Sequence, residues 1–152
     1  MKAADQTTNL EITSASDTAT FAFGRKLGAQ LQRGAVVALY GELGAGKTQL
    51  TKGIATALGI AADLVTSPTF TICTEHTDGR LPLYHYDVFR LGSVAEFDEL
   101  GWEEKRDTGI TVIEWAEKIA PRLPAKTIHI TLSHTSDPAT RRIQMRGTEF
   151  PT

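Results

Sequence analysis

The residues best suited to chemistry form one short glycine-rich segment, Gly41-Glu42-Leu43-Gly44-Ala45-Gly46-Lys47-Thr48. Glycine, four residues, glycine, lysine and then serine or threonine is the pattern of a phosphate-binding loop (P-loop). The glycines let the backbone turn and bring successive amide hydrogens close to an anion. Lys47, which we expect to be exposed at a helix start, supplies a positive charge for the β and γ phosphates, and the Thr48 hydroxyl can ligate magnesium. The segment therefore predicts a site for ATP with Mg²⁺.

Two acidic residues are candidates to complete such a site, because each ends an apolar segment that reads as a strand. Glu114 follows Ile110 to Ile113, and Asp87 follows Leu83 to Tyr86. A carboxylate there can face a bound metal directly or through water. The alternatives are a surface acid at a strand end for Glu114, and a cap or hairpin-end hydrogen bond for Asp87. Strand alternation also places His85 on the same face as Asp87.

Hydroxyl groups precede the second of these strands in Ser67-Pro68-Thr69. In this position they could sense a γ-phosphate, as switch segments do. The alternative is an ordinary proline turn with a capping hydroxyl.

The elements that must position these residues alternate between helices and strands. We expect an edge strand at Leu10 to Thr13 and, after it, a helix that has Ser16 as its N-cap, runs through about Gln32 and is closed by Gly34. The apolar run Ala35 to Tyr40 reads as a buried strand leading into the P-loop. A second helix should begin near Lys47, bury its apolar stripe and stop at Gly59; the stripe comprises Leu50, Ile54, Ala57 and Leu58.

The second half predicts hairpins and short elements. Thr69 to His76 and Leu81 to Val88 read as strands around an Asp-Gly step that favours a tight turn. A short acidic helix should span Ser93 to Leu100, and Thr127 to Leu132 with Arg141 to Arg146 should form a final hairpin. The fold predicted from all these elements is a single α/β domain, residues 1–152, of P-loop NTPase type with a mixed central sheet, flanking helices and β-hairpins.

Composition sets broader limits. A chain of 152 residues, 41% hydrophobic and 22% charged, is typical of one globular domain. The single cysteine, Cys73, favours a reducing compartment, and the longest apolar run falls far short of the ~20 residues of a membrane span, so we expect a soluble, cytoplasmic protein that does not contact membranes. A net charge of -2 argues against autonomous nucleic-acid binding, and the densest basic pair, Arg141 and Arg142, is typical of a solvated strand.

Five segments in order together resemble the bacterial TsaE (YjeE) family. They are GELGAGKT at 41–48, SPTFTI at 67–72, YHYDVFRL at 84–91, ELGWEE at 99–104 and VIEWAEK at 112–118. The resemblance covers residues from about 17 to 135. It implies a small ATPase that acts as an accessory subunit, with the TsaB and TsaD proteins, in making threonylcarbamoyladenosine on tRNA; any tRNA contact would be indirect, through those partners.

The resemblance also implies roles for individual residues. Lys47 would bind phosphate, Thr48 and Glu114 would hold magnesium, Asp87 would be needed for hydrolysis, and Trp115 would lie next to the nucleotide. The nucleotide contacts would come from the P-loop, that is from Glu42, Leu43, Gly44, Ala45, Gly46, Lys47 and Thr48.

This chain departs from the family pattern in two places. Phe89 stands where the family often has tyrosine, and Cys73 occupies a usually aliphatic position.

Hydrolysis by the chain alone should be slow and should increase with its partners. Fast phosphoryl transfer usually needs an arginine on the developing charge, and Arg90 is the nearest candidate in the sequence. Two other functions carry the same loop: a small-molecule kinase, which would need an arginine-bearing lid, and a nucleotide-gated adaptor without turnover. The acidic residues between Glu96 and Glu104 form either a solvated helix face or a partner-docking surface.

Overall fold

The computed structural model describes residues 8–42 and 44–147, with nothing described of the Thr8 side chain. Its strands are β1 Thr8–Ser14, β2 Val36–Tyr40, β3 Cys73–His76, β4 Leu83–Asp87, β5 Ile110–Glu114, β6 Ile128–His134 and β7 Arg141–Gly147. Its α-helices are α1 Asp17–Gly28, α2 Lys47–Ala57, α3 Val94–Asp98 and α4 Trp102–Arg106, with 3₁₀ turns at Ala62–Leu64 and Ala116–Arg122. These strands form one sheet in the order β1-β7-β6-β2-β5-β4-β3.

The centre of the sheet is parallel and its edges are antiparallel. Strand β2 pairs in parallel with β5 and β6, and β4 pairs in parallel with β5. Strands β1, β7 and β6 are antiparallel neighbours, as are β3 and β4. The predicted mixed α/β sheet with flanking helices and hairpins is therefore confirmed. Because β2, β4 and β5 run in parallel, the residues after their carboxyl ends meet at one edge of the sheet.

Two apolar cores cover the two faces of the sheet. Helices α1 and α2 cover one face; this core includes Leu27, Leu50, Ile54, Val37, Leu39 and Val112. The short helices α3 and α4 and the second 3₁₀ turn cover the other face; this core includes Phe97, Trp102, Ile119, Ala38, Tyr86 and Ile113. In the part of the chain that the structure describes, no helix combines the length and apolar character needed to cross a bilayer.

Glycines let α1 and α2 approach each other at backbone distance. A Cβ atom at Gly24 would lie 2.1 Å from the carbonyl oxygen of Leu50, and one at Gly53 would lie 2.2 Å from that of Phe21. No side chain fits at either position without separating the helices. This close packing fixes α2, which follows the P-loop, against the rest of the layer.

Helix α1 is shorter than predicted. The N-cap at Ser16 is confirmed, because its side chain accepts a hydrogen bond from the Ala19 amide. The helix ends at Gly28 rather than near Gln32, and the proposed cap at Gly34 is wrong. Residues after Gly28 form a turn that keeps Leu31 buried, and the Gly34 amide donates to the Gly109 carbonyl instead.

The β3–β4 hairpin also differs from prediction. Strand β3 begins at Cys73 because Ile72 has a φ of 68° and its amide donates to the Pro68 carbonyl, which makes the preceding residues a turn. The Asp-Gly step does not form a tight turn. Instead the Arg80 amide donates to the Leu58 carbonyl, so the connection packs over the end of α2.

Three details of the helices differ as well. The predicted acidic helix is confined to α3, and α4 was not predicted. In α2, Ala55 is fully buried, whereas Ala57 is partly exposed.

We expect Gly24→Ala to lower the free energy of unfolding by at least about 1–3 kcal/mol, the usual effect of overpacking a core. Urea denaturation measures this change. Gly92→Ala is the matched control, because the nearest atom to its Cβ would be a flexible Glu96 carboxylate oxygen at 3.4 Å. Equal unfolding midpoints for the two variants would contradict the close-packing argument.

Candidate active site

The P-loop connects the central strand β2 to α2, and its glycines have backbone angles that other residues avoid. Gly41 has a φ of 146° and Gly46 a φ of 108°. A Cβ at Gly41 would lie 2.6 Å from the carbonyl oxygen of Leu132, in the second half of β6. The start of the P-loop therefore packs directly against the backbone of β6. The predicted contact from Leu43 lies outside the described residues.

The first turn of α2 has amide hydrogens without a side-chain cap. Its N-cap residue is Gly46, and the turn contains no acidic residue, whereas Ser16 caps α1. Uncapped amides and the positive end of the helix dipole favour a bound anion. The predicted loop residues Glu42, Gly44 and Ala45 lead into this turn, Gly46 is its N-cap, and Lys47 and Thr48 are its first residues.

The Lys47 side chain is buried, contrary to our expectation of an exposed lysine. Its residue surface is 5% exposed, and its Nζ donates a hydrogen bond to the Gly41 carbonyl at 2.6 Å. Burial lowers the pKa of Lys47, and the carboxylates of Glu114, Asp87 and Glu117 partly oppose this effect. The ammonium group therefore lies inside the P-loop, facing acidic residues.

Asp87 and Glu114 lie side by side at the carboxyl ends of β4 and β5. They are register partners in the parallel pairing, and both are 2% exposed. Two carboxylates are thus buried next to the P-loop lysine. A surface acid, the alternative considered for Glu114, does not fit this burial.

The Asp87 carboxylate organises the loop that contains the predicted switch hydroxyls. Its Oδ2 accepts hydrogen bonds from Thr69 Oγ1 at 2.9 Å and Ser67 Oγ at 3.5 Å, and its Oδ1 accepts from the Phe89 amide at 3.0 Å. Ile72, with its positive φ, follows directly, and a β-branched residue is strained there. Asp87 therefore makes the local hydrogen bonds of the structural interpretation, and it also links the loop containing Ser67 and Thr69 to the site.

Trp115 borders the P-loop lysine. Its ring centroid lies 4.1 Å from Lys47 Nζ, and its φ of 61° turns the chain sharply after Glu114. The partly exposed Phe89 ring packs on Trp115 at 4.8 Å between centroids. An aromatic wall therefore flanks the lysine where the nucleotide is expected.

The donor set suits magnesium. The Thr48 hydroxyl and the carboxylates of Asp87 and Glu114 supply oxygen atoms, which Mg²⁺ prefers. Within residues 8–42 and 44–147 there is no group of three or more His, Cys, Asp or Glu arranged to hold a metal.

Arg141 contacts the P-loop, a role that the sequence analysis missed. Its guanidinium donates to the Gly44 carbonyl at 3.3 Å and to carbonyls of its own hairpin. The neighbouring Arg142 pairs with Glu11 on the sheet surface, as expected for a solvated strand. Only the topology, which brings the start of β7 beside the loop, distinguishes these adjacent arginines.

Comparison with known proteins assigns the family. The profile described as "Threonylcarbamoyl adenosine biosynthesis protein TsaE" matches residues 14–143. The chain belongs to the TsaE family. A "tRNA threonylcarbamoyladenosine biosynthesis protein TsaE" from Treponema pallidum is 46% identical over 125 residues, covering 82% of this chain and 90% of the relative. The protein of the same description from Bacillus subtilis is 42% identical over 133 residues, covering 87% and 78%.

A solved structure agrees with the fold. The crystal structure of YdiB from Bacillus subtilis superposes with a TM-score of 0.76 at 33% identity, covering 95% of this chain and 88% of YdiB. The region matched to the TsaE profile contains the P-loop, Asp87, Glu114 and Trp115. The resemblance inferred from the sequence motifs is therefore confirmed, and this TsaE family member is a P-loop protein.

We expect Arg141→Ala in this TsaE family member to weaken nucleotide binding about 2- to 10-fold, the range for one net hydrogen bond that steadies the loop. Titration calorimetry with ADP measures the change. Arg142→Ala is the matched control on the same strand and should leave affinity unchanged. Equal effects of the two substitutions would mean that general positive charge, not the Gly44 contact, matters.

Proposed function

We propose that this chain binds ATP with Mg²⁺ on the P-loop and hydrolyses it as an accessory subunit of the machinery that makes threonylcarbamoyladenosine on tRNA. It would act with homologues of TsaB and TsaD and reach tRNA through them. The names of its relatives support the pathway. The cytoplasmic location predicted from the sequence accords with this role.

The observation that carries the proposal is the convergence of Lys47, Asp87 and Glu114 beside an uncapped helix start. Each comes from a different element, α2, β4 and β5, and all are buried at the same edge of the sheet. Burying three ionisable groups is unfavourable unless they compensate one another. Their arrangement matches the parts of phosphoryl-transfer sites: a phosphate cation, a metal-side carboxylate and a group that orients water.

In this proposal the protein groups divide the work. Lys47 and the first-turn amides of α2 bind the β and γ phosphates, while Trp115 limits the access of water. Thr48 and Glu114 would hold magnesium, which when bound would neutralise charge on the phosphates. Asp87 positions the Ser67 and Thr69 hydroxyls and orients the attacking water. Phosphate binding, metal binding and water orientation require these groups to lie close together, and the parallel strands place them so.

The contacts of the arginines between α2 and β5 disfavour the kinase alternative. Arg80 donates to the Gly28 carbonyl, Arg106 lies over the Trp102 ring, and Arg90 lies 5.1 Å from the centroid of the exposed Phe70 ring. A kinase lid would need such arginines to close over the transferred phosphate. The nucleotide-gated adaptor remains as the second candidate, because it needs the same binding groups but no turnover.

We expect Asp87→Asn to lower ATP hydrolysis about 100-fold or more while changing ATP affinity only a few-fold, because it removes a charge that acts on water. Asparagine can still accept from the Phe89 amide, so the loop is retained. Single-turnover phosphate release and calorimetry give the two quantities. Asp78→Asn, in the exposed β3–β4 connection, is the control. Equal losses of binding and turnover would assign Asp87 a plain structural role.

We expect the purified chain to hydrolyse ATP slowly and its TsaB and TsaD homologues to accelerate the reaction. A completing arginine can contribute about 10³- to 10⁵-fold, and in the described residues Arg90 is engaged with Phe70 rather than with the P-loop. Steady-state phosphate release with and without the partners tests this, with Lys47→Ala as the binding-deficient background. Rapid turnover that partners do not change would favour a stand-alone ATPase. Nucleotide-dependent complex formation without phosphate release would establish the adaptor.

A further inference from the structure

A buried histidine supports the Glu114 carboxylate from within the sheet. His85 is fully buried in the middle of β4, and its Nε2 lies 2.6 Å from Glu114 Oε2 on β5. The Glu114 side chain is only 3% exposed. His85 and Asp87 share one face of β4, so the histidine lies one step deeper in the molecule than the two carboxylates.

The contact with His85 restricts the rotation of the Glu114 side chain at the end of β5. Pairing with β4 and β2 fixes the backbone of Glu114, but its side chain has three rotatable bonds and a soft terminal torsion. A ligand to a small octahedral ion must be held in a defined orientation. A hydrogen bond to one carboxylate oxygen removes this freedom and leaves the other oxygen available.

The surroundings of the second ring nitrogen, Nδ1, show whether His85 holds Glu114 in place or transfers protons. A carboxylate that binds a metal is ionised and only accepts, so in the proposed role of Glu114 the His85 Nε2 carries the hydrogen of this bond. Its Nδ1 is buried and has no hydrogen-bond partner among the described residues. A proton relay needs a partner at both ring nitrogens, and this histidine has one only at the Glu114 side. The geometry is that of a group that holds its neighbour in place.

We propose that His85 is a positioning residue: its Nε2–H holds Glu114 Oε2, so that Oε1 is presented to the Mg²⁺ of a bound nucleotide or to a water of that ion. This inference rests on the proposed function, in which Glu114 is a magnesium ligand. His85 itself would touch neither metal nor nucleotide. Its removal should therefore affect the metal and leave metal-free nucleotide binding intact.

The test measures Mn²⁺ as a paramagnetic substitute for Mg²⁺, by electron paramagnetic resonance of the protein with ADP. His85→Leu should weaken Mn²⁺ binding about 10- to 100-fold, the usual effect of removing a group that orients a metal ligand. Affinity for ADP in EDTA should stay within about 2-fold, since no nucleotide contact is lost. His85→Gln, which can place an amide hydrogen near the same point, should restore most of the Mn²⁺ affinity.

A double-mutant cycle decides whether the effect passes through Glu114. In a Glu114→Gln background, His85→Leu should cause no further loss of Mn²⁺ affinity. His76→Leu is the control, because His76 is a partly buried histidine on the neighbouring β3 with an unpartnered Nε2 and no contact to Glu114. An unchanged Mn²⁺ affinity in His85→Leu, an undiminished loss in the Glu114→Gln background, or an equal loss in His76→Leu would overturn the inference.

Two further outcomes are distinguishable. If His85→Leu does not fold by urea denaturation, His85→Asn replaces it, because asparagine is too short to reach Oε2; equal Mn²⁺ affinities of the Asn and Gln variants would then overturn the inference. If the unmodified protein with ADP binds no Mn²⁺ at all, the proposed function itself fails, and the inference that rests on it fails with it.

Discussion

The parallel pairing of β2, β5 and β4 is the constraint on which the site depends. Its register places Leu39 opposite Glu114 and Glu114 opposite Asp87. Since β2 continues directly into the P-loop, the P-loop amides and both carboxylates lie together at the carboxyl ends of the parallel strands. A shift of one residue in either pair would turn these side chains to the opposite face. The apolar core is therefore also what aligns the polar residues.

Toward the carboxyl ends of β4 and β5, the side chains change from apolar core residues to polar site residues within a few positions. Along β4, the residues facing α1 and α2 change from Leu83 to His85 to Asp87, and along β5 from Val112 to Glu114. Burial lowers the pKa of Lys47 more than the nearby carboxylates raise it. The buried ammonium thus gains from additional negative charge, which the phosphates of a nucleotide provide. The contacts of the Lys47 ammonium described here, the Gly41 carbonyl and the Trp115 ring, carry no formal charge.

Local sequence patterns predicted the central features because those features are local. Strand β2, the P-loop and α2 follow one another in the chain, and the acids Asp87 and Glu114 each end an apolar strand. The predictions failed where tertiary contacts decide: Gly28, not Gly34, ends α1 because Leu31 must return to the core, and Ile72 is turned by the Asp87-anchored loop. Arg141 and His85 could not be assigned roles from sequence, since their contacts with Gly44 and Glu114 join residues that are far apart in the chain. The roles of the site residues and the one-domain extent over 1–152 stay predictions.

The position of β1 at the sheet edge bears on how the chain folds during synthesis. Among the strands that the structure describes, β1 pairs with β7 alone; Ser14 lies opposite Arg141, so more than a hundred residues separate the partners. Such non-local contacts form late, because closing a long loop must precede any gain from pairing. On the ribosome, β1 emerges well before β7, the strand with which it pairs. During that interval Leu10 and Ile12 belong to an unpaired strand, the kind of segment that chaperones shield from aggregation.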